Sequence, residues 1–180
     1  MKKLLCIFLI ALGIHAQAQD KYFTRTGHVS FYSETPIENI EAHNHQATSV
    51  LNTTTGEMSF SILIKSFEFE KALMQEHFND NYMESDKFPK ATFKGNIKDL
   101  TKVDFKKDGT YTIEVEGDLT IHGVTKKTIA TGTIEIKNGQ ILTQSSFPVT
   151  LKDFNVKSPK DKVAETLQIK VNCNYQPVKK

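Results

Sequence analysis

The chain has 180 residues, 38% hydrophobic and 24% charged, a length that fits one domain able to build its own core. Its 23 Lys+Arg include Lys2 and Lys3, which sit in a segment with the pattern of a removable leader. Taking those two away leaves 21 basic against 21 acidic residues, a formal net charge of zero, so no global field attracts a phosphate backbone and nucleic acid is not an expected partner.

At the start, Lys2 and Lys3 precede an apolar run over 4–12 and the small-x-small step Ala16-Gln17-Ala18. Positive, then apolar, then small is the order of a secretory signal peptide, here residues 1–18, with cleavage before Gln19. The apolar run is shorter than the ~20 residues of a spanning helix, so no membrane span is expected in the mature chain, 19–180. The expected location is the periplasm or the exterior. The mature chain keeps one cysteine, Cys173, so no intramolecular disulfide is expected. Cys173 shares its parity with Leu167, Ile169, Val171 and Tyr175 and reads as a small buried apolar residue.

From there the chain alternates with a period of two. Strands are predicted near 22–33, 42–51, 57–68, 90–98, 110–121, 127–137, 140–151 and 163–175. The clearest is 110–121, where Tyr111, Ile113, Val115, Leu119 and Ile121 take one parity and Thr112, Glu114, Glu116, Asp118 and Thr120 the other. Turn chemistry separates several of them: Thr55-Gly56, Asp108-Gly109, His122-Gly123 and Asn138-Gly139. About eight sequential antiparallel strands form a meander that closes into a barrel and so removes its exposed edges.

One segment departs from this pattern. Residues 70–81 lack β-branched side chains, and Met74, Phe78 and Tyr82 recur every four residues. The spacing predicts one short amphipathic helix, ended by Asn79-Asp80-Asn81, with Glu70, Lys71 and Gln75 facing water.

The inward parity mixes bulky residues (Phe60, Ile62, Ile64, Phe93, Phe147) with Ala91, Thr143 and Ser145. Such a mixture suits an elongated apolar cavity, and it also suits side chains that interdigitate and leave nothing open. Composition alone does not choose between the two.

Motifs for catalysis are missing. The chain holds no Gly-x-Ser-x-Gly, phosphate-binding loop, His-Glu-x-x-His or Cys-x-x-Cys, so no catalytic residue is assigned and an enzyme is not expected. Glu135 and Glu165 are the only acidic residues that parity places near an interior. His43 and His45, two apart on a strand, share a face and could chelate a metal if a third ligand such as His28 paired alongside. In so polar a stretch the simpler reading is solvation, and no metal is assigned.

Two segments carry a resemblance. Met74-Gln75-Glu76-His77-Phe78 through Phe88-Pro89-Lys90-Ala91-Thr92-Phe93-Lys94-Gly95 is the first, and Gly117-Asp118-Leu119-Thr120-Ile121-His122-Gly123-Val124-Thr125-Lys126 is the second. Together they resemble the YceI family of lipid- or polyisoprenoid-binding proteins, and the likeness extends more loosely over the mature chain. Thr26-Gly27-His28-Val29-Ser30-Phe31 keeps only part of the family's opening pattern. The resemblance implies an all-β fold: a lipocalin-like antiparallel eight-stranded β-barrel with one short helix near the mouth. It further implies a bound polyisoprenoid or other long-chain amphiphile, quinone-like in kind, and no cofactor beyond it. The absence of Trp argues against the Gly-x-Trp lipocalins themselves.

On that basis Phe60, Ile62, Phe93, Tyr111, Val115 and Phe147 are the expected lining residues, with Phe67, Met74 and Phe78 near the entrance. The expected role is a periplasmic or exported lipid carrier. The alternative from a different class is a structural or interaction module of the cell envelope with a filled barrel.

Overall fold

Left-handed backbone at Gly56 (φ 73°), His122 (50°), Gly123 (74°), Asn138 (51°) and Gly139 (76°) turns the chain back on itself between long strands, as the dipeptides at these positions require. The computed structural model describes residues 20–178 apart from 37, 158, 160 and 161, so the leader predicted over 1–18 lies outside the described residues. The strands are β1 (Lys21–Ser33), β2 (Ile40–Asn52), β3 (Glu57–Leu63), β4 (Glu68–Phe69), β5 (Lys90–Ile97), β6 (Gly109–Ile121), β7 (Val124–Lys137), β8 (Gln140–Thr150) and β9 (Thr166–Pro177). Eight of them form a ring in the order β1-β9-β8-β7-β6-β5-β3-β2, closed by antiparallel pairing of β1 with β2, while two-residue β4 adds to the start of β2. This is the expected antiparallel eight-stranded barrel.

The strand predicted over 57–68 is interrupted. After Leu63 the chain makes a tight turn over Ile64–Ser66, with Ile64 N–H donating to the Pro89 carbonyl, and only then pairs again as β4. The helix is shorter and differently ended than its spacing predicts. The regular helix α1 covers Ala72–His77, and a wider turn over Phe78–Tyr82 extends it through the Asn-Asp-Asn cluster. Asn79 Nδ2 donates to the Gln75 carbonyl at 2.9 Å, and Met83 N–H reaches back five residues to the Phe78 carbonyl. The cluster therefore widens the last turn instead of breaking it.

The two ends of the barrel differ. The end away from α1 is packed solid by Leu51, Met58, Ile97, Val103, Ile113, Ile134, Ile136, Ile141, Cys173 and Tyr175. There the Tyr175 hydroxyl, 1% exposed, shares a 2.6 Å hydrogen bond with Ser49 Oγ, so its burial leaves no unmet polar group. Burial pushes the Cys173 thiol up to about 12, against weaker opposing hydrogen bonds from Tyr175 and Thr143, which makes it a packing residue without thiolate chemistry. The α1 end is looser, with half-buried Phe60, Phe78, Phe93, Ile121, Phe147 and Ile169 around its core.

Candidate functional site

Alternation delivers one side chain in two from every barrel strand to the interior, and those of every barrel strand but β2 border a cavity of about 180 Å³ walled almost wholly by apolar atoms. Of the residues expected to line it, Phe60, Ile62, Phe93, Val115 and Phe147 do, and so do Phe67 and Phe78. Tyr111 does not. It sits at the start of β6 by the solid end, half-buried, and its hydroxyl donates to the Lys107 carbonyl at 3.1 Å. Parity places a residue on a face but says nothing of its height along the strand.

Met74 also stands outside the inner cavity. It lines a second, outer cavity of about 330 Å³ between α1, the ends of β1 and β8, and the approach to β9. Phe31, Phe78, Met83, Leu151 and Leu167 border both spaces, so the two are neighbours separated by a few side chains. The outer chamber is the more polar, adding Ser33, Thr35, Glu38, His77, Tyr82 and Lys162.

Phe78 is the hub of the partition. Its ring lies 5.0 Å from Phe69, 5.5 Å from Phe67 and 5.7 Å from Phe31, a cluster that fixes the wider turn after α1 over the barrel end. Sequence reasoning did not assign Val29, Phe31, Met83 or Phe154 to the lining. The first two follow the alternation of β1 and were within reach of the parity argument. Met83 and Phe154 follow irregular turns, where no period exists to read.

The two recognisable segments touch one another. His122 Nε2, in the β6–β7 turn, lies 2.8 Å from Glu84 Oε2, just beyond the wider turn, and the Phe88 ring meets the His122 ring edge-on at 4.5 Å. A Cβ on Gly123 would come within 2.6 Å of Phe88, so this position excludes any larger residue. The contact pins the segment after the wider turn to the barrel wall.

His28, His43 and His45 do come together, on the outer face of β1 and β2 at a register shift in their pairing. His28 Nε2 and His43 Nδ1 share a 3.0 Å hydrogen bond, and His28 stacks on His45 at 4.5 Å with planes 5° apart. Lone pairs lie in the ring planes, so parallel rings do not aim them at one point. Among the described residues no group of three or more potential ligands is arranged to hold a metal. Glu135 and Glu165 are exposed on the outside and bring no carboxylate to the interior.

The cluster has a pH consequence. Burial first, then the neighbouring His45 and His43, holds the His28 pKa below its usual 6.5. A base whose folded pKa is depressed contributes its stability above the unfolded value and loses it as pH falls toward and through the folded one. The melting temperature should therefore drop between about pH 7 and about pH 5, and His28→Gln should flatten that drop. Parallel thermal melts of the two proteins across this range check it.

Comparisons with known proteins agree with the geometry. A polyisoprenoid-binding domain from Saccharophagus degradans, implicated in plant cell wall breakdown, superposes with a TM-score of 0.75 at 13% identity, over 89% of this chain and 99% of that one. Burkholderia cenocepacia BcnA superposes at 0.68 with 19% identity, over 83% and 96% of the two chains. The Campylobacter jejuni YCEI protein does so at 0.59 with 20% identity, over 82% and 90%. A search of curated proteins by sequence found no match. The YceI-like domain family, however, matches residues 21–175, nearly the whole described chain, and the protein belongs to that family.

Proposed function

We propose that this protein is an exported carrier that holds a polyisoprenoid or similar long-chain amphiphile, such as a prenyl quinone, in its barrel. The observation that carries this reading is the inner cavity: lined from seven of the eight barrel strands and almost without polar surface, next to a more polar outer chamber. A single apolar chain fits the first and its polar end the second. At about 25 cal/mol per Å², burying a few hundred Å² of chain is worth several kcal/mol before association costs. The polyisoprenoid-binding relative supports the ligand class. The leader pattern at 1–18 supports export to the periplasm or beyond. The reading involves no chemical step: the protein takes up, shields and releases.

A filled barrel would leave only voids near the size of one water, and two cavities of this volume weigh against that alternative. The test is titration with a fluorescent prenyl probe, compared between the wild type and Ala91→Trp. Ala91 lines the inner cavity opposite Ile62, so an indole there fills the space. Saturable binding of about one probe per chain in the wild type, weakened about tenfold or more in the variant, is expected. Equal binding by both would remove the cavity from the account.

A further inference from the structure

The barrel wall has an unpaired stretch. β7 pairs with β8 only from Lys137↔Gln140 to Gly132↔Ser145. On its other side β7 continues to pair with β6 as far as Val124, and β8 with β9 as far as Thr150. The last tie between the strands is Ser145 Oγ donating to the Thr131 carbonyl at 2.8 Å. Beyond it β7 over 124–131 and β8 over 146–150 face each other without a ladder. Pro148 lies in this stretch, and proline, with no N–H to give, belongs at a strand edge.

Both lips border the inner cavity. Thr128 and Ala130 line it from β7, Phe147 and Val149 from β8. The tight turn Leu151–Phe154 that follows β8 packs back against β7, and Phe154, 4% exposed, lines the inner cavity from this turn. On the outside of the β7 lip Ile129 is 54% exposed, an apolar step beside the seam.

We infer that this seam is a side portal through which a long apolar chain enters and leaves the cavity, with Phe154 as its gate; the inference rests on the lipid-carrier reading. Parting β6 from β7, or β8 from β9, breaks a long run of backbone hydrogen bonds. Leaving past α1 requires Phe78 to separate from Phe31, Phe67 and Phe69. Widening the β7–β8 wedge breaks no ladder bond and displaces one aromatic side chain. The portal therefore admits a flexible single chain from the side, which suits exchange with an apolar donor surface better than end-on threading.

The experiment places one cysteine on each lip, Ile129→Cys with Pro148→Cys, positions that would face each other if the ladder continued. A short bis-methanethiosulfonate linker joins them through two disulfides, displacing its two sulfinate groups, and uptake and release of a fluorescent prenyl probe are timed before linking, after linking and after reduction. Linking should slow both rates about tenfold or more, and reduction should restore them. Unchanged rates in the linked protein overturn the portal while leaving the carrier reading intact. An unlinked protein that never takes up the probe removes that reading and the portal with it. Phe154→Ala supplies an independent check should the double variant fold poorly. It should speed both rates about threefold or more, and rates equal to those of the wild type contradict the gate.

Discussion

Gly117→Ala is expected to lower the melting temperature by roughly 6–12 °C, the consequence of about 3 kcal/mol of overpacking in a domain of this size. Gly117 faces Gly95 across the β5–β6 pair, and the Phe93 ring lies over both. A Cβ on Gly117 would stand 2.4 Å from the Lys94 carbonyl oxygen, 2.5 Å from Gly95 Cα and 2.7 Å from the Phe93 ring. Two of those three atoms are backbone held in a ladder, so neither can yield without shifting the strand. Gly95 is placed reciprocally, its added Cβ meeting the Glu116 carbonyl at 2.5 Å. Gly117→Val adds two more carbons in the same space and should leave little folded protein. Glu116→Ala, exposed one residue away, should stay within about 0.5 kcal/mol. Thermal melts of the three variants decide the matter, and a Gly117→Ala protein as stable as Glu116→Ala would refute the close approach. The glycine that opens the most recognisable motif is thus a packing requirement of the barrel wall.

Phe78→Ala should speed release of a bound prenyl probe about tenfold while costing about 2 kcal/mol of stability, less than a fully buried Phe because the ring is half-buried. Phe78 is one of five side chains that border both cavities, and its ring meets three others around the barrel end. Its loss merges the chambers and loosens the aromatic seal. Met74→Ala, which touches the outer chamber alone, should change release only slightly, even though helix spacing puts Met74 and Phe78 on one stripe. Phe78→Leu should recover most of the stability and only part of the retention, because a branched aliphatic fills volume without the ring contacts. Stopped-flow release and thermal melts on the same three proteins separate sealing from folding. Release unaltered in a well-folded Phe78→Ala would rule the seal out.

These contacts also show how far a reading of the sequence reaches. Strand existence and facing were legible because a half-buried strand writes its period of two directly into the chain, and the turns carry residues suited to left-handed backbone. The inner face of β6, from Ile113 to Ile121, came out as read, and most of the lining residues followed from it and its neighbours. Depth was not legible: Tyr111 shares that face but stands beside the solid end, because alternation repeats identically all the way up a strand. Irregular turns hid Met83 and Phe154, which line the cavity from positions with no period. The reading of the sequence passed over Pro148, which sits where β8 loses its pairing with β7, in a stretch whose alternation otherwise reads as an ordinary strand. The histidines converged because a register shift between β1 and β2 brings His28 beside His43 and His45, and no local sequence pattern encodes a register shift.

Native mass spectrometry of the protein purified from its own host, followed by extraction and identification of what it holds, reads out whether the barrel carries a long isoprenoid chain. The expected result is a population of chains each bearing one long-chain isoprenoid lipid, released on denaturation. A protein recovered empty that also fails to take up prenyl quinones from vesicles would contradict it.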